Sequence, residues 1–297
     1  MTNTHPHPAI RPRRVAVVTG AANGIGLAAA RHFASLGMRL CLADIDRGAL
    51  AEAGKVLEPL LAEGAADLRL VEADVAKRED VVRLSETAFE AFDDVAVLMN
   101  NAAIGKGAGP WENSERWRRM LDVNFFGVLH GLEVFVPLLL AHGRPAAIVN
   151  TGSKQGITTP PGNASYNVSK AAVKVLTEQL AHELRQAAGE RVTAHLLVPG
   201  YTFTAMTGRD TQDAEKPGAA WTPEQVVDFM VAGLTAGDFY LLCPDGEVTR
   251  EMDERRIQWA ADDIIMNRPA LSRWHSAHAA AFQAFAARAD STGARRR

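Results

Sequence analysis

The clearest chemistry in the sequence lies in three polar side chains, Ser153, Tyr166 and Lys170. Tyr166 and Lys170 stand four apart in a segment of helical periodicity, so they share a face with Cβ atoms roughly 5–6 Å apart. A tyrosine with a pKa of about 10 is a poor base at neutral pH. A neighbouring ammonium stabilises the phenolate and draws that pKa toward the working range, which turns the pair into a general acid/base. Ser153 follows an apolar run at 146–151 and is able to donate a hydrogen bond to the same substrate oxygen. In isolation such a pair is an ordinary feature of a helix surface. Its place downstream of a glycine turn changes that reading.

The turn is TGAANGIG at residues 19–26, between the apolar run 15–19 and a helical segment. Gly20, Gly24 and Gly26 allow a tight turn and close backbone approach to a pyrophosphate, and the helix N-terminus adds partial positive charge. Asn23 and Ile25 fall within the same turn. Asp44 lies eighteen residues past Gly26, at the end of the second run. A carboxylate there accepts the adenosine ribose hydroxyls and repels a 2′-phosphate. Neither Asn23 nor Ile45 supplies the positive charge that such a phosphate would want, so NAD is expected over NADP.

Short apolar runs at 15–19, 38–43, 68–73, 95–99, 146–151, 192–198 and 239–243 must position these groups. Most are continuously apolar, as strands buried on both faces of a parallel sheet are. Between them, helical periodicity covers 24–36, 47–63, 78–92, 114–141, 165–188 and 223–236. Thr222-Pro223-Glu224-Gln225 is a well-formed helix start. The alternation predicts an α/β fold: a Rossmann-type doubly wound parallel sheet of about seven strands with helices on both faces. Three parts are expected: a mobile basic arm at 1–14, a dinucleotide-binding catalytic domain at 15–245 and a helical extension at 246–297. In the extension, 247–267 reads as a charged amphipathic helix ended by Arg268-Pro269, and 270–289 as a second helix.

The net charge of −3 hides a segregation, with +3 on residues 1–14, +3 on 288–297 and −9 on the rest. An acidic body repels nucleic acid, and no nucleic-acid partner is expected. Two cysteines, Cys41 and Cys243, exclude a disulfide scaffold and a four-cysteine metal site. His275 and His278 have no third ligand nearby, so no metal is expected. The stretch 123–141 is broken by Asn124, His130, Glu133 and Pro137, a poor match to a span of about 20 apolar residues. No secretory signal opens the chain. A cytoplasmic protein without a membrane partner is the expectation.

Together these motifs resemble the short-chain dehydrogenase/reductase family, in its single-domain branch, over about residues 14–245. The family's TGxxxGxG turn matches 19–26, and its acidic adenine contact matches Asp74-Val75. Its NNAG element matches Asn100-Asn101-Ala102-Ala103, with alanine replacing the last glycine. The active-site asparagine matches Asn124, and the serine and YxxxK pair match Ser153, Tyr166 and Lys170 at the usual separation of thirteen. The Pro-Gly turn matches Pro199-Gly200, followed by Thr204, with Thr202 in place of the usual valine or isoleucine.

The resemblance implies that Tyr166 is the general acid/base, Lys170 lowers its pKa and binds the nicotinamide ribose, Ser153 orients the carbonyl and Asn124 holds a water. It also implies an oxidoreductase interconverting a secondary alcohol and a ketone with NAD, assembled as a homodimer or homotetramer. The alternatives are an NADP-dependent carbonyl reductase, a non-catalytic dinucleotide sensor, which would not need the tyrosine, and epimerisation or dehydration on the same groups. The flanking residues Gln155, Asn163, Tyr201 and Met206, with Ser153 and Tyr166, are the expected substrate contacts. They are mostly neutral, which points to a neutral, partly apolar or aromatic small molecule. Residues 201–221 read as a mobile lid. The extension loosely resembles that of family members acting on bulky aromatic alcohols.

Overall fold

A computed structural model describes residues 7–208 and 215–287. Seven strands, β1 (Val15–Thr19), β2 (Arg39–Asp44), β3 (Leu68–Glu72), β4 (Val97–Asn100), β5 (Ala146–Thr151), β6 (Val192–Val198) and β7 (Tyr240–Leu242), form one sheet in the order β3-β2-β1-β4-β5-β6-β7. Every pairing is parallel. The order reverses between β1 and β4, and in such sheets ligands bind in the crevice beyond the strand C-termini at this switch point.

Helices cover both faces: α1 (Gly24–Ser35), α2 (Arg47–Leu57), α3 (Arg78–Phe92), α4 (Ser114–Leu121), α5 (Gly127–Ala141), the short α6 (Gln155–Thr158), α7 (Ala164–Ala188) and α8 (Pro223–Ala236). Strand residues alternate between two cores. Ala16 and Val18 join Phe33 and Met230 on one side, while Val15 and Val17 join Phe135 and Val173 on the other. The continuous apolar runs are thus explained, since no strand position in β1 faces water. The helix expected over 47–63 stops at Leu57, because Pro59 has no N–H with which to continue it. The 28-residue stretch Ser114–Ala141 is long and apolar enough to cross a membrane. Here it packs its buried face on the sheet through Val128, Leu132, Phe135 and Leu139.

Residues 7–14 depart from the expected arm. Ala9 and Ile10 are buried in the first core. Arg13 pairs with Asp67 at 2.9 Å and Arg14 with Asp94 at 2.5 Å, both acids being buried. Charges that look solvated in sequence are neutralised by acids far along the chain. Residues 1–6 of the arm lie outside the described residues. The extension forms α9 (Arg250–Ile265) and α10 (Ala279–Ala286), joined by two short 3₁₀ turns where one longer helix was expected. Trp259 of α9 packs edge-on against Phe282 at 5.4 Å, and Ile257 reaches the second core.

Candidate active site

A cleft of ≈ 260 Å³ opens at the switch point. Its floor is the glycine turn. Gly20 has φ +63°, a left-handed conformation costly for other residues, and a Cβ there would lie 2.8 Å from Ala102 Cα. A Cβ on Gly26 would lie 2.1 Å from the Gly20 carbonyl, so α1 approaches the turn only because residue 26 is glycine. Asn23 makes no side-chain cap, and the first turn of α1 carries no acid. Uncapped helix N–H groups at the wall of a cleft suit an anion. The Thr19 hydroxyl accepts from the Asn101 and Ala102 N–H groups, and Asn101 Nδ2 donates to the Gly20 carbonyl, which fixes the end of β4 beside the turn.

The acidic side chains sit at the same end. Asp44 accepts from Ala22 N–H at 3.0 Å and Asp46 N–H at 3.1 Å, which fixes its carboxylate in the cleft wall. Asp74 accepts from Ala76 N–H at 3.1 Å and pairs with Arg119 at 3.2 Å. Gly24, Ile25, Val75, Pro199, Gly200, Thr202 and Thr204 also line the cleft. This floor, anion-facing helix end and fixed carboxylate fit a dinucleotide.

At the far end, Tyr166 and Ser153 line the cleft together, and the Ser153 hydroxyl accepts from Gln155 N–H at 3.1 Å. Lys170 is fully enclosed, donates to the Thr151 carbonyl at 2.8 Å and lies 5.9 Å from the Tyr166 ring centre. Burial pushes its ammonium down from 10.5 to about 8. It also pushes the Tyr166 phenol above its usual 10.0, with the Ser153 hydroxyl opposing. In this nucleotide-free cleft desolvation dominates the phenol, and the lysine's hydrogen bond goes to a backbone carbonyl.

Asn124 lies behind the cleft, in a π-helical turn (Asp122–Phe126) between α4 and α5. Its Oδ1 accepts from Ile104 N–H at 2.8 Å, and its Nδ2 donates to the Ile104 carbonyl at 2.9 Å and to Ser169 Oγ at 3.2 Å. The side chain thus pins the loop after β4.

Among the expected substrate residues, Ser153, Tyr166 and Met206 line the cleft, while Gln155, Asn163 and Tyr201 do not. Asn163 donates to the Gly105 carbonyl at 2.9 Å, and Tyr201 is held through its backbone by Trp221. The segment 201–221 is tied at its base by the bridge between Thr202 and Trp221, and Thr204 caps a short turn carrying Met206. The tip of the expected lid, 209–214, lies outside the described residues. Residues missed in the sequence are Arg119, Ile104, Val123, Thr151 and Thr207. Thr151 had a signal in its position at a strand end before Ser153, whereas Arg119 had none.

Among known proteins, the chain matches the short chain dehydrogenase family over residues 14–215. It is 33% identical over 265 residues to a 1-deoxy-11-beta-hydroxypentalenate dehydrogenase of Streptomyces exfoliatus, covering 88% of this chain and 94% of that one. It is 38% identical over 195 residues to a galactitol 2-dehydrogenase (L-tagatose-forming) of Cereibacter sphaeroides, covering 65% of this chain and 72% of that one. A short-chain dehydrogenase/reductase from Burkholderia phymatum, solved in complex with NAD, superposes with a TM-score of 0.77 at 34% identity, covering 87% of this chain and 96% of that one.

Proposed function

The chain belongs to the short-chain dehydrogenase/reductase family of nicotinamide-dinucleotide oxidoreductases, and on that premise we propose that it interconverts a secondary alcohol and a ketone with NAD. The observation that carries this is one cleft lined by Ser153, Tyr166, a buried Lys170 and the glycine turn. Bound there, the nicotinamide supplies the hydride chemistry. The turn at 20–26, Asp44, Asp74, Val75, Asn101, Ala102, Pro199, Gly200, Thr202 and Thr204 would hold the dinucleotide, together with Tyr166 and Lys170. Tyr166 gives a proton to the nascent alkoxide during ketone reduction and removes the alcohol proton during oxidation. Ser153 donates to the same oxygen. Lys170 keeps a positive charge near the developing oxyanion. Asn124 positions the cleft wall through Ile104.

Ile104, Val123 and Met206 give the cleft apolar surface, which supports a neutral, partly apolar substrate. The NADP-dependent reading is disfavoured because the fixed Asp44 carboxylate repels a 2′-phosphate. Acid/base help of this kind is worth typically ~10²–10⁴-fold. Tyr166→Phe should therefore lose turnover on that scale while binding NADH as the wild type does. Turnover within tenfold of the wild type, with normal NADH binding, removes Tyr166 from the role.

A further inference from the structure

Among the described residues the C-terminal extension contributes none to the cleft lining, yet one of its side chains is buried against the residue that follows Ser153. Asp253 of α9 is 3% exposed, and its Oδ2 lies 2.5 Å from Lys154 Nζ. Lys154 directly follows Ser153, and its side chain is itself only 13% exposed. The same ammonium lies 3.2 Å from Asp245 Oδ2. Asp245 Oδ1 accepts from Val248 N–H at 3.0 Å, and a Cβ on Gly200 would lie 2.3 Å from Asp245 Oδ2. The Lys154 N–H donates to the Pro199 carbonyl at 3.2 Å, and its own carbonyl accepts from Ile157 and Thr158 N–H groups.

A buried ion cluster is costly to desolvate and often adds no net stability over apolar packing, but it admits few geometries. This cluster joins four pieces of chain: the Ser153 loop, the Pro199–Gly200 turn, the end of β7 and α9. We propose that Asp253 is a positioning residue. Through Lys154 and Asp245 it fixes the Ser153 loop against the Pro199–Gly200 turn, so that the extension sets where the Ser153 hydroxyl sits. This rests on the reading of Ser153 and Tyr166 given above.

The test compares full-length wild type with Asp253→Ala, Asp253→Asn and Asp253→Glu, below the melting temperature of each. Ketone reduction with NADH gives kcat and KM, and hydrogen exchange of peptides spanning 152–158 reads the loop without nucleotide. Asp253→Ala is expected to lower kcat at least tenfold with ketone KM within threefold. The Gly156, Ile157 and Thr158 amides should exchange at least tenfold faster, and Asp253→Glu should recover most of both effects. If Asp253→Ala does not fold, Asp253→Asn, which removes only the charge, carries the comparison. A lowered melting temperature with kcat and exchange both within twofold of wild type overturns the inference and leaves the oxidoreductase reading intact. Faster exchange in a chain whose wild type reduces no ketone sinks that reading and leaves the positioning of the Ser153 loop by Asp253 standing.

Discussion

Replacing Lys170 with methionine is expected to stabilise the folded chain while removing turnover. The side chain is 2% exposed, and burial holds its ammonium at about 8 against an ordinary 10.5. Each tenfold displacement of a proton equilibrium is worth about 1.4 kcal/mol, so the charged lysine costs the fold about 3 kcal/mol at neutral pH. Methionine removes that cost and keeps a linear side chain. It also leaves the Thr151 carbonyl without the lysine's hydrogen bond, which returns about 1–2 kcal/mol. The net gain is about 1–2 kcal/mol, or about 2–6 °C in Tm for a chain of this size. The sign follows from linkage. The folded pKa lies below the unfolded one, so the unfolded chain binds more protons between pH 8 and 10.5. The wild-type penalty is complete below about 8 and fades as pH rises toward 10.5. Urea and thermal unfolding of nucleotide-free protein at pH 6.5, 7.5 and 9.5 measure this, alongside steady-state turnover, which should fall by ~10²–10⁴. A variant less stable than wild type at pH 7 by more than about 1 kcal/mol, or a difference that does not change above pH 8, refutes the reasoning.

Three further outcomes follow from the same geometry. Gly26→Ala places a Cβ 2.1 Å from the Gly20 carbonyl, so α1 must move off the turn; NADH affinity by fluorescence titration should fall at least tenfold, and an unchanged affinity counts against the turn as the nucleotide floor. The fixed Asp44 carboxylate should make kcat/KM with NADH at least tenfold higher than with NADPH, and Asp44→Ala should narrow that ratio; faster wild-type turnover with NADPH is the contrary result. His7 is buried, its Nδ1 accepts from Ala9 N–H, and burial with the nearby His195 lowers its pKa from 6.5 to about 4. Its neutral form therefore contributes stability that is complete above about 6.5 and is lost as pH falls toward 4. His7→Phe should flatten that acid limb in urea melts, and an unchanged limb shows that His7 does not carry it.

The sheet was legible because its strands are covered on both faces. In β1 every residue is buried, with alternate side chains feeding opposite cores, so continuous apolarity marked it without any alternation to read. The start of α8 was equally legible, and Thr222 and Gln225 cap each other as their spacing implied. The fate of residues 7–14 was not, because the partners of Arg13 and Arg14 lie at Asp67 and Asp94 and no local pattern reports them. Nor does spacing show that a helix passing Asn124 widens into a π turn, which aims that amide at the Ile104 backbone.

Among the candidate site residues, side-chain type and spacing were readable but the balance of forces on them was not. Four-residue spacing does put Lys170 near Tyr166, and Coulomb attraction alone would then lower the phenol's pKa. The fold encloses both groups, and desolvation penalises the two charges in opposite directions along the pH axis: up for the phenol, down for the ammonium. At neutral pH this leaves a protonated tyrosine in one cleft with Ser153 and a lysine that still carries its charge. That pairing is suited to giving a proton to a ketone oxygen. Taking one from an alcohol requires the opposite tyrosine state, which the nucleotide-free site disfavours. Both effects depend on how tightly the walls around Ser153, Thr151 and Ile104 close, so the parts of the chain that set the chemistry include segments with no reactive group. The buried Asn124 amide and the extension's Asp253 are two such parts. Asn124 acts on the cleft through Ile104 and Asp253 through Lys154, and no motif marks Asp253.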